Sequence, residues 1–262
     1  MGQDRGAKQS VWIKTLAFAC KRGMILVMIS KPKSLTKASA KAKAKPRAKR
    51  LSPQERERIE ILFARFEAAN AHPRTELHFS NPYTLLVAVV LSAQATDKGV
   101  NKAVEPLFKK ADNPADMLAL GLEGVTDHIK TIGLYRNKAK NVIALSQILI
   151  DQHGGQVPTD RASLEALPGV GRKTASVVLN ELDIEPAIAV DTHVYRVAHR
   201  LKLANGKTPD QVEAQLMAIV PERALTRAHH WLILQGRYIC VARSPKCSTC
   251  PISDLCPSRD LF

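Results

Sequence analysis

The chain has 262 residues and a mass of 28.8 kDa, and 45% of its residues are apolar. That is enough for one or two domains with real cores and excludes a chain disordered throughout. Lys and Arg number 39 against 24 Asp and Glu, a net charge of +15 with a pI near 9.8, which points to an anionic partner, nucleic acid first; no apolar run of about 18 residues occurs, so no membrane partner is expected.

The charge is unevenly placed. Residues 1–50 hold 14 Lys and Arg and one acid, Asp4, while residues 51–262 hold 25 basic and 23 acidic residues. The leader therefore carries +13 and the rest only +2. Its low-complexity stretch Lys41–Arg50 cannot bury enough apolar surface to offset chain ordering. It is expected to be a disordered basic tail that holds phosphates without sequence preference. Residues 11–30 are apolar but interrupted by Lys14, Lys21, Arg22 and Gly23, which suits neither a bilayer span nor a signal peptide. An organelle transit peptide, or a start at Met24 or Met28, stays open.

From residue 51 on, helix starts recur. Ser52-Pro53-Gln54-Glu55 combines an N-cap, Pro at the first helical position and the Glu of a capping box. Asn81-Pro82, Asn113-Pro114 and Thr208-Pro209 repeat the cap and Pro. Ile59, Leu62, Phe63 and Phe66 follow the first cap at helical spacing; Leu85, Leu86, Val89 and Val90 follow the second. Val142, Leu145, Ile148 and Leu149 stripe another helix, which Gly154-Gly155 ends. Further helices are predicted at about 97–110, 171–182, 191–203, 209–220 and 224–240. No alternating strand pattern is found, so the predicted fold class is all-α.

Leu167-Pro168-Gly169-Val170-Gly171-Arg172-Lys173-Thr174-Ala175 joins two short helices. Gly169 and Gly171 allow a tight turn and close backbone approach, and Val170 is expected to pack inward. The free amides and positive dipole end of the second helix form a phosphate site. The motif resembles the helix-hairpin-helix of DNA repair proteins. Lys173 lies in the first turn, where the dipole opposes its charge and favours the neutral amine that imine chemistry needs. Read from this segment alone, a lysine that simply contacts phosphate is the favoured reading. Asp191 stands 18 positions on, where the apolar run Ile188-Ala189-Val190 meets a helix start. It is either an N-cap or a carboxylate serving the same cleft.

Cys240, Cys247, Cys250 and Cys256 are spaced C-x6-C-x2-C-x5-C. Four thiolates this close bind Zn²⁺ or an iron–sulfur cluster, and general rules leave both open. Arg243 and Lys246 in the first loop are candidates for phosphate contact.

With these motifs in order, residues 51–262 resemble the endonuclease III family, the bifunctional DNA glycosylases of the helix-hairpin-helix superfamily. The resemblance implies a [4Fe–4S] cluster on the four cysteines, Lys173 and Asp191 as catalytic residues, and double-stranded DNA with damaged pyrimidines or abasic sites as partner. Leu91-Ser92-Ala93-Gln94-Ala95-Thr96-Asp97 is similar to that family's stretch near the damaged base, and Gly133-Leu134-Tyr135 with Lys138-Ala139 to its second DNA-facing loop. By this resemblance Gln94 and Leu134 enter the duplex where a nucleotide flips out. Gly169, Val170, Gly171, Arg172, Thr174 and His193 are further expected DNA contacts. Two helical domains are implied, a six-helix barrel at 75–185 and a discontinuous domain at 51–74 and 186–262, with the cleft between them. The expected enzyme is a monomer that cuts the abasic strand by β-elimination through a lysine Schiff base. The expected compartment is a bacterial cytoplasm, at the nucleoid, with nucleus or mitochondrion open.

An adenine-mismatch glycosylase of the superfamily usually lacks the hairpin lysine; a thymine-mismatch or photoproduct glycosylase shares all the motifs. A noncatalytic DNA-binding module with a structural zinc is the alternative from another class. A cluster core of charge +2 on four thiolates brings the formal charge of 51–262 to about zero. Specific binding must then rest on where a few cations and helix ends point. A chain beginning at Leu51 is expected to bind duplex DNA more weakly and with a shallower salt dependence, with lesion choice unchanged. A salt titration on damaged and undamaged duplexes checks this; altered lesion choice would contradict it.

Overall fold

Helix starts carry their own caps. The computed structural model describes residues 51–259 and Leu261; the leader at 1–50 lies outside the described residues. Helix α1 (Pro53–Ala69) opens with the capping box, the Ser52 hydroxyl accepting from the Glu55 amide and the Glu55 carboxylate accepting from the Ser52 amide. Side-chain oxygens of Asn81, Thr96, Asn113, Asp160 and Thr208 each accept from the amide three residues on and so cap α2 (Pro82–Ser92), α3 (Asp97–Phe108), α4 (Pro114–Ile129), α6 (Arg161–Glu165) and α9 (Pro209–Ile219). Helix α4 is kinked at Gly121, whose φ is 72°. Helix α5 (Tyr135–His153) ends at Gly154, and the Gly155 amide returns to the Leu149 carbonyl. The remaining helices are α7 (Arg172–Glu181), α8 (Thr192–Arg200) and α10 (Leu225–Leu234). No strand occurs among the described residues. The predicted helix at 224–240 divides: its α-helical part stops at Leu234 and a π-helical turn covers Gln235–Ile239. Periodicity alone does not register the one extra residue per turn.

The helices bury two apolar cores. Helices α2 to α7 enclose the first, with α2 at its centre: every residue from Tyr83 to Leu91 is buried. A helix apolar on all sides is one that neighbours surround. The second core joins α1 to the segments after residue 186, and Phe63, Phe66 and Trp231 meet there with ring centroids 6.0–6.4 Å apart. The Trp231 indole N–H donates to the Asn70 carbonyl, fixing the end of α1 on α10. Among the described residues, no helix is long and apolar enough to cross a membrane.

Candidate active site and iron–sulfur centre

The loop from α6 to α7 begins the site. Gly169 has φ 81°, and a Cβ there would lie 2.9 Å from the Asn141 side-chain nitrogen on α5. Both facts require glycine. Val170 is buried, as expected, so it offers a surrounding duplex only its backbone. Gly171 is the N-cap of α7, with no side-chain cap and open space, free to 4 Å, where a Cβ would stand. The first amides of α7 therefore stay open to an anion. Arg172, expected at the DNA, bonds instead through Nε to Glu213 of α9 at 3.1 Å, and the Glu213 carboxylate holds its guanidinium above the ordinary range.

One residue further on, Lys173 is half exposed, and its Nζ lies 4.0 Å from Asp191 Oδ2. Asp191 is the N-cap of α8: its Oδ1 accepts from the amides of His193 and Val194, each at 2.8 Å. One oxygen thus caps the helix, as one of the two sequence readings expects, and the other faces the lysine.

Lys173 and Asp191 share a cavity of roughly 700 Å³ walled by both cores, within the range of ligand sites. Gln94, Thr174 and His193 line it as well. Gln94 and Leu134 are exposed and both left-handed, φ 54° and 58°. A Cβ on Gly133 would lie 3.8 Å from the Gln94 carbonyl oxygen, so the two loops stand side by side. Leu134 is 58% exposed. Non-glycine residues hold this backbone region at about 1–3 kcal/mol, and such strain gathers at functional sites.

Sequence reasoning missed the far wall. Arg237, in the π-helical turn, bridges Glu76 and Asp97, and the Tyr238 hydroxyl donates to Glu76. Burial works against the Arg237 charge, but the two carboxylates outweigh it and raise its pKa. The partners are 140 and 161 residues apart in the chain, so no local signal marks them. His229 of α10 is the other omission. It lines the cavity, and burial first, with His230 adding, pushes its pKa down to about 3.

The four cysteines are half-buried, none in a disulfide, and line a second, apolar cavity with Val197, Leu201 and Ile252. All four sulfur-bearing side chains line the same space, and four thiolates facing one space suit a multi-iron core. Donors reach the sulfurs: Arg200 Nη1 to Cys240 Sγ at 3.4 Å and Gln235 Nε2 to Cys250 Sγ at 3.2 Å. Burial pushes the Cys256 thiol up, with the other three cysteines adding to it, and bound cations would reverse that. Arg196 and Arg200 of α8 bond the carbonyls of Gly236, Cys240, Val241 and Ala242. The helix that Asp191 starts thereby holds the cysteine loop. Arg243 and Lys246 on that loop are exposed.

Comparison with known proteins agrees with this picture. Residues 87–222 match the HhH-GPD superfamily base excision DNA repair protein family, and residues 240–256 the iron-sulfur binding domain of endonuclease III. The chain is 57% identical to endonuclease III of Escherichia coli strain K12 over 203 residues, 78% of this chain and 96% of that protein. It is 54% identical to endonuclease III of Haemophilus influenzae, with the same coverage of both chains. A solved structure of a trapped endonuclease III–DNA covalent intermediate matches with a TM-score of 0.71 at 45% identity, covering 78% of this chain and 96% of that one. A non-covalent endonuclease III–DNA complex matches with a TM-score of 0.72 at 45% identity, covering 78% and 95%.

A helical cleft beneath a glycine hairpin, beside a cysteine-bound centre, is the architecture of a base excision repair protein. The chain belongs to the HhH-GPD superfamily of such proteins and, within it, to the endonuclease III family. Its cofactor is a [4Fe–4S] cluster. Changing Cys250 or Cys256 to Ser is expected to lower the iron bound per chain and the melting temperature together, since the cavity they line lies against the second core. Iron assay and thermal melting check this, and full iron content in either variant would contradict it.

Proposed function

We propose that Lys173 is the nucleophile and Asp191 its partner carboxylate in an enzyme that removes oxidised or otherwise damaged pyrimidines from duplex DNA. As a member of its family the chain is a DNA glycosylase and abasic-site lyase acting on damaged DNA. The observation that carries the residue assignment is the 4.0 Å separation of Lys173 Nζ from Asp191 Oδ2 at a cavity wall.

The open amides of α7 take a phosphate, and Arg243 and Lys246 take others. A poorly stacked damaged base flips more cheaply, which supplies part of the selectivity. Gln94 and Leu134, side by side on strained backbone, fill the space it leaves. Lys173, having lost a proton, attacks the sugar carbon that bears the base; the bond to the base breaks and the base departs with its electron pair. Asp191 stabilises the positive charge that develops on the sugar and assists proton transfer. Collapse to the imine makes the neighbouring sugar hydrogen acidic. Its loss expels the 3′ phosphate by β-elimination, and water then releases Lys173. The cluster supplies structure, held by Cys240, Cys247, Cys250 and Cys256, and sets the loop that carries the two cations. Both reacting side chains come from one chain, which suits action as a monomer, in the bacterial cytoplasm at the nucleoid.

Asp191→Asn isolates the charge from the cap, because Asn caps helices about as well. The variant is expected to melt within about 1 kcal/mol of the unaltered protein and to bind abasic duplex normally. Its cleavage is expected to fall by about 100-fold or more. Single-turnover cleavage, duplex binding and melting check this together. Loss of folding would return Asp191 to a purely structural role.

A further inference from the structure

Helix α10 gives way after Leu234 to the π-helical turn Gln235–Ile239, which leads directly into the first cysteine. Gln235 opens that turn, and two bonds tie it to the cysteine-lined cavity. Its backbone carbonyl accepts from the Cys240 amide at 2.7 Å. Its side chain, on a residue only 7% exposed, lines the cavity and donates from Nε2 to Cys250 Sγ at 3.2 Å. A thiolate accepts and cannot donate, so the amide nitrogen, not the oxygen, is the end that suits it. The turn itself closes through the backbone bond, and the side chain carries no charge to neutralise the cysteines. What the side chain supplies is one fixed N–H beside one sulfur, in a wall that includes Val197, Leu201, Ile239 and Ile252.

We propose that Gln235 sets the reduction potential of the cluster, its N–H bond to the Cys250 sulfur favouring the more reduced state. An electron added to the core puts more negative charge on its sulfurs. A donor fixed beside one of them is then bonded more strongly, and the potential rises. Away from water that difference is screened less, so a single buried donor counts. The couple moves one electron; no bond forms or breaks. Arg200 Nη1, 3.4 Å from Cys240 Sγ, acts in the same direction. Arg200 also holds the Val241 and Ala242 carbonyls, so its removal disturbs the loop as well. Gln235 is the cleaner probe, because its bond to the Cys240 amide is a backbone bond that substitution leaves in place. The inference concerns the cluster and is independent of the assignment of Lys173 and Asp191.

The test uses the full chain with its cluster. Voltammetry at pH 8 gives the midpoint potential, beside iron content, melting and cleavage of abasic duplex. Gln235→Met keeps the length of the side chain and removes the donor. It is expected to hold iron and cleave abasic duplex like the unaltered protein. At a fixed potential its ratio of reduced to oxidised cluster is expected to fall about threefold to tenfold, tenfold being about 59 mV for one electron. Gln235→His places a ring N–H at similar reach, uncharged at this pH, and its midpoint is expected to stand above that of Gln235→Met, near the unaltered value. An unchanged midpoint in Gln235→Met at full iron content would overturn the proposal, and equal midpoints for the Met and His variants would overturn it too. Gln235→Leu takes the place of Gln235→Met where that variant fails to hold iron. Loss of iron from both would also overturn the proposal, because the bond would then serve assembly of the cluster and not its potential.

Discussion

Asp191 commits one carboxylate oxygen to the helix it starts and turns the other to Lys173. That division is possible only where two helix starts meet, because the lysine stands in the first turn of α7 and the aspartate caps α8. The arrangement constrains much else. Helix α7 belongs to the first core and α8 to the second, so the separation of Lys173 from Asp191 is set by the seam between cores. Across that seam run the Asn180 bonds to Thr226 and Ala187 and, at the far wall, Arg237 between Glu76 and Asp97. Breaking a partly buried network of this kind costs more than its pairwise contacts suggest, since each lost partner leaves another polar group unsatisfied.

The cysteine loop depends on the same helix. Arg196 and Arg200 of α8 hold its carbonyls, and Arg196 also touches His193, two residues from Asp191. A cluster bound by that loop therefore stiffens the helix that presents the carboxylate, besides displaying Arg243 and Lys246. With the charge of residues 51–262 near zero once the cluster is included, net charge alone does not account for binding to DNA.

Local devices are legible in the sequence because neighbours write them. Ser52-Pro53 with Glu55, Asn81-Pro82 and Gly154-Gly155 mark helix ends through contacts within a few residues, and the hairpin and the cysteine spacing are equally short-ranged. Residues whose roles arise from tertiary pairing are not legible. Arg237 meets partners from the far side of the chain, and His229 reads as one more buried helix residue until the fold sets it in the cavity wall. Leu134 shows the opposite limit: its sequence alone suits a core position, yet a left-handed backbone at the start of α5 leaves it in solvent. The π-helical turn after Leu234, which aims Arg237 at the cleft, leaves no mark in the hydrophobic period.

The central claim is that Lys173 forms the covalent bond to the sugar. The most direct measurement is borohydride trapping on abasic duplex, followed by protease digestion and mass spectrometry of the DNA-linked peptide. The adduct is predicted on Lys173 alone. An adduct on another lysine, or no adduct during active strand cleavage, would contradict it.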